Sequence, residues 1–264
     1  MPFSPIFFRM IVQIPYRGRT FQADLNKPLD ISIPLKAGSE TVNCFYAPYM
    51  ETAPVVAGSF IGSTAQGGPV NFLNLKINPH GNGTHTECVG HIAREEFFIN
   101  RTLKKFHFLA KLLCVFPVRT DEGDRVIRKE QLEGWLEGGG VEAAIIRTLP
   151  NDDDKLQRHY SGTNPPYLHH EAVEYLVDQG IRHLLIDLPS VDREEDGGKL
   201  LAHKAFWKYP GTVESGRDDC TITELIYVPN EIPDGMYLLQ IQIASLEMDA
   251  SPSKPVLYKL KNSL

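Results

Sequence analysis

Between Asn78 and His91 the chain runs Asn-Pro-His-Gly-Asn-Gly-Thr-His-Thr-Glu-Cys-Val-Gly-His, which places His80, His85, His91 and Glu87 between two apolar runs. An imidazole offers one nitrogen lone pair and a carboxylate two oxygens, donors that suit a borderline divalent cation such as zinc or manganese. In extended backbone His85 and Glu87 point to the same side. If the chain then turns helically, Glu87 and His91 share a face. Glycines 81, 83 and 90 permit the turns that would gather such ligands. The pattern therefore reads as a metal site built on a strand followed by a kink. The competing reading of the same residues is a polar loop, or histidines that only satisfy buried backbone groups.

The elements that must carry this segment are legible in part. Val70 to Ile77 alternates apolar and polar residues and predicts a strand leading into it. Further on, Lys111 to Val118 and Val141 to Arg147 read as strands, and so does His183 to Asp187. Arg128 to Glu137 reads as a helix stopped by three glycines, and Leu168 to Gln179 as a helix with Ala172, Val173, Leu176 and Val177 on one face and Gly180 as its stop. His169 and His170 fall in that helix's first turn; one of them could face the site, but a solvent-facing position is the expectation. Tyr237 to Ile243 and Val256 to Leu260 predict closing strands, and Asp24 to Leu35 a short alternating one. Strands separated by crossover helices imply an α/β fold with a mixed, partly parallel sheet covered on its faces.

Gly38 to Pro69 is rich in glycine, proline and aromatics and predicts long loops, in which Tyr46, Tyr49 and Phe60 either line a pocket or pack locally. Gly58 to Gly68 lacks the Gly-Lys-Ser/Thr ending of a phosphate loop and the spacing of a nucleophile elbow, so neither nucleotide binding nor serine hydrolysis follows from it. The acidic run Asn151 to Asp154 reads as a solvated loop.

With 264 residues, 42% of them apolar and 23% charged, the chain can bury a full core. Its net charge of −6 offers no basic stripe for nucleic acid, and no run approaches the length of a membrane helix. Cys44, Cys88, Cys114 and Cys220 form no Cys-x-x-Cys pair; they read as buried free thiols of a reducing, cytoplasmic setting. Residues 1–20 read as an N-terminal extension, or its first strand, and 21–264 as one domain.

The sequence resembles the metal-dependent cyclase family that includes bacterial kynurenine formamidase and isatin hydrolase. The family signature is His-x-Gly-Thr-His-x-Asp-x-Pro-x-His. Gly83-Thr84-His85-x-Glu87-x-Val89-x-His91 follows it with glutamate for aspartate and valine for proline; the leading histidine stands at His80, one residue upstream of its expected place, which Gly81 occupies. The run from Gly180 to Asp192, the segments Leu201-Ala-His203 and Thr223-Glu224-Leu225, and the stretches from Ile232 to Leu238 and Asp249 to Pro252 extend the resemblance from about Asp24 to the C-terminus.

The resemblance implies a swivelling β/β/α fold. It implies that His80, His85 and Glu87 hold one metal, and that Glu87, His91, His203 and Glu224 form or border a second position, for one or two zinc or manganese ions. His91 and Glu224 would move protons. The activity implied is hydrolysis of a small amide, formamide or cyclic amide by metal-activated water, in a homodimer or homotetramer. A dehydratase or cyclase acting on a hydroxy acid, or a non-catalytic metal-binding member, is the alternative on the same scaffold.

Overall fold

The protein was analysed as a computed structural model, described here for residues 9–136 and 140–262. A nine-stranded sheet organises it. Its strands are β1 Leu29–Asp30, β2 His85–Glu87, β3 His107–Val115, β4 Ala143–Thr148, β5 His183–Ile186, β6 Thr221–Glu224, β7 Gly235–Gln240, β8 Ala250–Pro252 and β9 Val256–Lys259, in the spatial order β8-β2-β6-β5-β4-β3-β7-β9-β1. The four central strands β6, β5, β4 and β3 are parallel, and every pairing outside them is antiparallel. This is the mixed α/β fold expected.

Both faces of the central strands are covered, and β4, β5 and β6 are buried at every residue. Among the described residues three α-helices accompany the sheet, α1 Ile99–Thr102, α2 His170–Asp178 and α3 Leu201–Trp207. Ala144, Ile146, Leu184, Ile186 and Ile222 point to one side, where they pack with Val173 and Leu176 of α2 and Phe206 and Trp207 of α3. Their neighbours Ala143, Ile145 and Leu185 point to the other side and pack with Leu112, Ile99, Tyr237 and Leu239. Alternation along each strand thus divides the core into two layers.

Several expectations needed correction. Arg128 to Glu137 is not a helix over its described residues: Lys129–Gln131 forms one 3-10 turn, and Gly134 takes φ +79°, which a right-handed helix interior does not accept. Leu132 and Leu136 are still buried, so the apolar spacing reported burial without helix. Glu137 to Gly139 lie outside the described residues. The strand expected at Lys111–Val118 begins at His107 and ends at Val115, before Pro117; Val118–Arg119 pairs elsewhere. Asn151 is buried and donates to the Val228 carbonyl at 3.0 Å, while Asp152 to Asp154 are exposed. Cys114 is only half-buried; the other thiols are buried and all four are free.

Outside the main sheet, Ile11–Tyr16 pairs with Arg19–Asp24, and Glu51–Pro54 with Leu73–Lys76 in a two-stranded ribbon. Both strands of that ribbon are largely exposed, including Leu73 and Leu75. Of the aromatics weighed as a pocket, Tyr49 packs against His159 and Phe60 against Phe72, while Tyr46 is 78% exposed. They pack locally.

Ile145 is fully buried at the centre of the sheet. Its replacement by alanine should cost about 2–5 kcal/mol, read as a lower midpoint in urea without a change of slope.

Candidate metal centre

The edge of the sheet fixes the first ligand candidates. Glu224 on β6 lies opposite His85 on β2, and Ile222 opposite Glu87. Because residues two apart share a face, His85, Glu87 and Glu224 all point to the side where Ile222 meets α3. Thr84 sets this register: its hydroxyl donates to the Leu225 carbonyl at 2.5 Å and accepts from the Ile33 amide at 2.8 Å. Beyond Glu87 the chain enters a 3-10 turn, Val89–His91, which swings His91 back over the carboxylate. Strand and kink are as the spacing predicted.

The remaining candidates arrive from elsewhere. His203 is in the first turn of α3, and its Nε2 lies 3.2 Å from Glu87 Oε1 and 3.9 Å from Glu224 Oε1. His80 comes from a turn closed by two asparagines: Asn78 Oδ1 accepts from the Gly81 amide at 2.9 Å and Asn82 Oδ1 from the Asn78 amide at 2.8 Å. Its Nδ1 stands 3.2 Å from Glu87 Oε2, although its place in the sequence is shifted by one. Gly81 explains the shift locally. A Cβ there would sit 2.2 Å from that of Ala47, so the position next to the ligand must stay bare. All six residues expected at the site are therefore together.

Two further carboxylates had not been assigned a role from sequence. Asp249, just before β8, lies with Oδ2 at 2.8 Å from His80 Nε2 and 3.4 Å from His91 Nδ1. Asp192 accepts from His203 Nδ1 at 2.6 Å and from the amides of Ala202 and His203 at 2.8 and 3.1 Å, so one side chain both caps α3 and orients its histidine. Both belong to stretches that carry the family resemblance, which was the one available signal.

The imidazoles share one design. His80 is tied through Nε2 to Asp249, His85 through Nδ1 to the Gly83 carbonyl at 3.0 Å, and His203 through Nδ1 to Asp192. In each, one nitrogen is engaged outward, which fixes the tautomer and aims the other lone pair inward, as outer partners do for metal-bound histidines. Inside the cluster, His85 Nε2 and Glu87 Oε2 are buried and neither meets a partner in hydrogen-bonding geometry, although Glu224 Oε2 and His80 Nδ1 lie 3.5 and 3.2 Å away. A buried polar atom left unpaired costs about 1–3 kcal/mol. Donor atoms of His80, His85 and Glu87, of Glu87, His91 and His203, and of His80, His91 and Asp249 each lie within 4.8 Å of one another. The orphaned atoms and the donor types together fit a divalent cation, with Glu87 common to two of the sets.

Comparison with known proteins agrees. The family model described as "Putative cyclase" matches residues 29–193. The chain belongs to this family. Across 196 residues it is 30% identical to a kynurenine formamidase of Bacillus cereus, covering 73% of this chain and 82% of that protein, and it is 28% identical over 199 residues to one from Bacillus anthracis, covering 74% and 83%. Its fold matches a solved structure titled as a potential metal-dependent hydrolase with cyclase activity, with a TM-score of 0.62 at 17% identity over 88% of this chain and 97% of that one. Isatin hydrolase A from Labrenzia aggregata matches with a TM-score of 0.61 at 14% identity over 88% and 93%.

Without a cation the cluster balances its charges by protonation. Burial alone would depress His80, but the hydrogen bond to Asp249 and the adjacent Glu87 carboxylate outweigh it and hold the imidazole at about 10. For His203, burial is likewise outweighed by Asp192 and Glu87, again giving about 10. Burial would raise Glu87; the charge on His91, the hydrogen bond from His203 and the neighbouring His80 imidazole instead keep it well below the carboxylate range. The raised imidazoles stabilise the metal-free fold fully below their ordinary value of 6.5 and lose that contribution as pH climbs towards about 10. The depressed Glu87 contributes above its ordinary value of 4.5, hence throughout this range. A cation needs the deprotonated nitrogens, so its stabilising effect grows as the protons leave.

Two results are expected. The gap in melting temperature between metal-loaded and chelator-treated protein should widen from pH 6.5 to 9; a gap independent of pH would show that these imidazoles are not the ligands. Asp249→Asn should lower metal affinity by about 10- to 100-fold, the range for loss of an outer-shell partner, measured by competition with a chromogenic chelator.

Proposed function

We propose that the chain is a metal-dependent hydrolase that cleaves the C–N bond of a small amide, formamide or cyclic amide, in the manner of an arylformamidase. The observation that carries this reading is the ring of outward-tied imidazoles around two orphaned buried donor atoms, His85 Nε2 and Glu87 Oε2. The names of its relatives, a formamidase and an isatin hydrolase, support the substrate class.

His80, His85, Glu87, His91, His203 and Glu224 would hold one or two zinc or manganese ions. When bound, such an ion supplies Lewis acidity that lowers the pKa of water and polarises a carbonyl. The chain's own residues supply the rest. Glu224 is fixed through Oε1 by the Val191 amide at 2.9 Å, which leaves Oε2, 3.5 Å from His85 Nε2, facing the cluster floor. His91 stands at the open side with its side chain 31% exposed, Nδ1 turned towards Glu87 and Asp249 and Nε2 left to exchange a proton. Between them these groups take the proton of the attacking water and return one to the departing nitrogen. Substrate choice would come from the loops between Gly38 and Pro69. The exposed apolar side chains of the 51–76 ribbon support assembly into a homodimer or homotetramer, and the free thiols support a cytoplasmic setting.

His85→Ala should remove metal uptake and activity on an N-formyl arylamine together; full activity of metal-stripped protein would overturn the reading. His91→Ala should lower kcat by about 10²–10⁴-fold, the usual weight of one acid–base group, with a smaller change in KM.

A further inference from the structure

Apart from the cluster described above, one other group of ligating side chains comes together among the described residues: His169, His170 and Glu171, where α2 begins. Their donor atoms lie within 4.8 Å of one another, with His169 Nδ1 at 3.4 Å from Glu171 Oε2 and the two imidazole centroids 4.3 Å apart. A tetrahedral ion with bonds of about 2.0–2.1 Å spaces its ligand atoms by roughly 3.3–3.4 Å. The nitrogen–oxygen edge already has that length.

Protonated histidines repel each other, and the start of a helix is its positive end, which opposes a cation. Against this, Glu171 is itself a ligand candidate, and the adjoining cavity of about 320 Å³ is lined by Glu122, Asp124, Glu195 and Asp196 against Arg193 and Lys199. Negative charge prevails there. The side chains of His169 and Glu171 are 33% and 60% exposed, so an ion can enter and complete its shell with water.

We propose that His169, His170 and Glu171 form a second metal site, separate from the catalytic cluster and selective for a borderline divalent cation such as zinc, nickel or cobalt over magnesium or calcium. Two imidazoles and one carboxylate with open positions are the donor set such ions prefer, whereas magnesium and calcium take oxygen shells. The site has a structural path to the catalytic one. Asp192 lines the same cavity and also holds His203 Nδ1, so a single carboxylate separates the two.

The competing explanation is that the two rings only stack on each other. The test uses the untagged full chain, equilibrated by dialysis against cobalt(II) and read by elemental analysis and visible absorption. Wild type should take up one equivalent more than His169→Gln/His170→Gln, and Glu171→Gln, an exposed change with no core contact to disturb, should lose the same equivalent. His85→Ala should keep it while losing cobalt from the catalytic cluster. Equal uptake by wild type and both folded variants, judged by unchanged circular dichroism, would overturn the proposal. The readout is a difference in stoichiometry, so it is decided whether or not the chain hydrolyses any amide.

Discussion

A carboxylate with no exposure to water, that of Glu87, is the constraint around which the site is arranged. Burying a charge is tolerated only with compensation close at hand, and here imidazoles from three different elements supply it: His80 from a turn, His91 from the 3-10 segment and His203 from α3. The compensation can be two protons or a cation, and the geometry serves both because each imidazole is held from outside. Neither Asp249 nor Asp192 needs to touch an ion to determine where it binds.

Two of the three departures from the family signature, Glu87 and the displaced His80, become intelligible together. Glu87 is one methylene longer than aspartate, yet its strand is pinned on both sides, with Ile222 and Ala250 as cross-strand partners, so the extra length must be spent inside the cluster. The histidine that meets Oε2 starts one residue earlier, in a turn whose next position is denied any side chain by Ala47. Cys44 fastens that turn, its amide donating to the Gly81 carbonyl at 3.1 Å and its thiol to that of His80 at 3.3 Å. The altered spacing and the altered residue thus compensate within one loop.

Much of this was legible where chemistry and sequence proximity coincide. Three of the four parallel strands, β3, β4 and β5, announced themselves as apolar runs, α2 by its face and its terminal glycine, and the histidine segment by its donors; β6, reading Thr-Ile-Thr-Glu, carried no such signal. Pattern reading failed where distant contacts decide. Leu132 and Leu136 have helical spacing, but Gly134 breaks the helix and tertiary burial alone keeps them inside. Asp249 and Asp192 look like any loop carboxylates until the sheet edge and α3 place them against imidazoles. His183 makes the converse point. It is a histidine as buried as the ligands, but it faces Thr221 Oγ1 at 2.9 Å and is pushed down to about 3, by burial first and then by Arg182 and Arg217. Nothing local in the sequence separates such a structural, neutral histidine from a ligand.

The position of His203 shows how far the site depends on packing beyond it. α3 has seven residues, too few to persist alone, and it starts and stops at Leu200 and Lys208, both in the left-handed region. Two interactions hold it. At one end Asp192 accepts its first free amides; at the other Phe206 and Trp207 are completely buried, with the indole donating to the Cys220 carbonyl at 2.9 Å. Cys220 precedes β6, the strand that ends in Glu224, and the Trp207 ring stacks on His203 with centroids 5.7 Å apart. The helix is therefore docked to the same strand that supplies the carboxylate its histidine faces. Loosening the core under α3 would move the two ligand candidates relative to each other, so at this point stability of the fold and geometry of the site are one requirement.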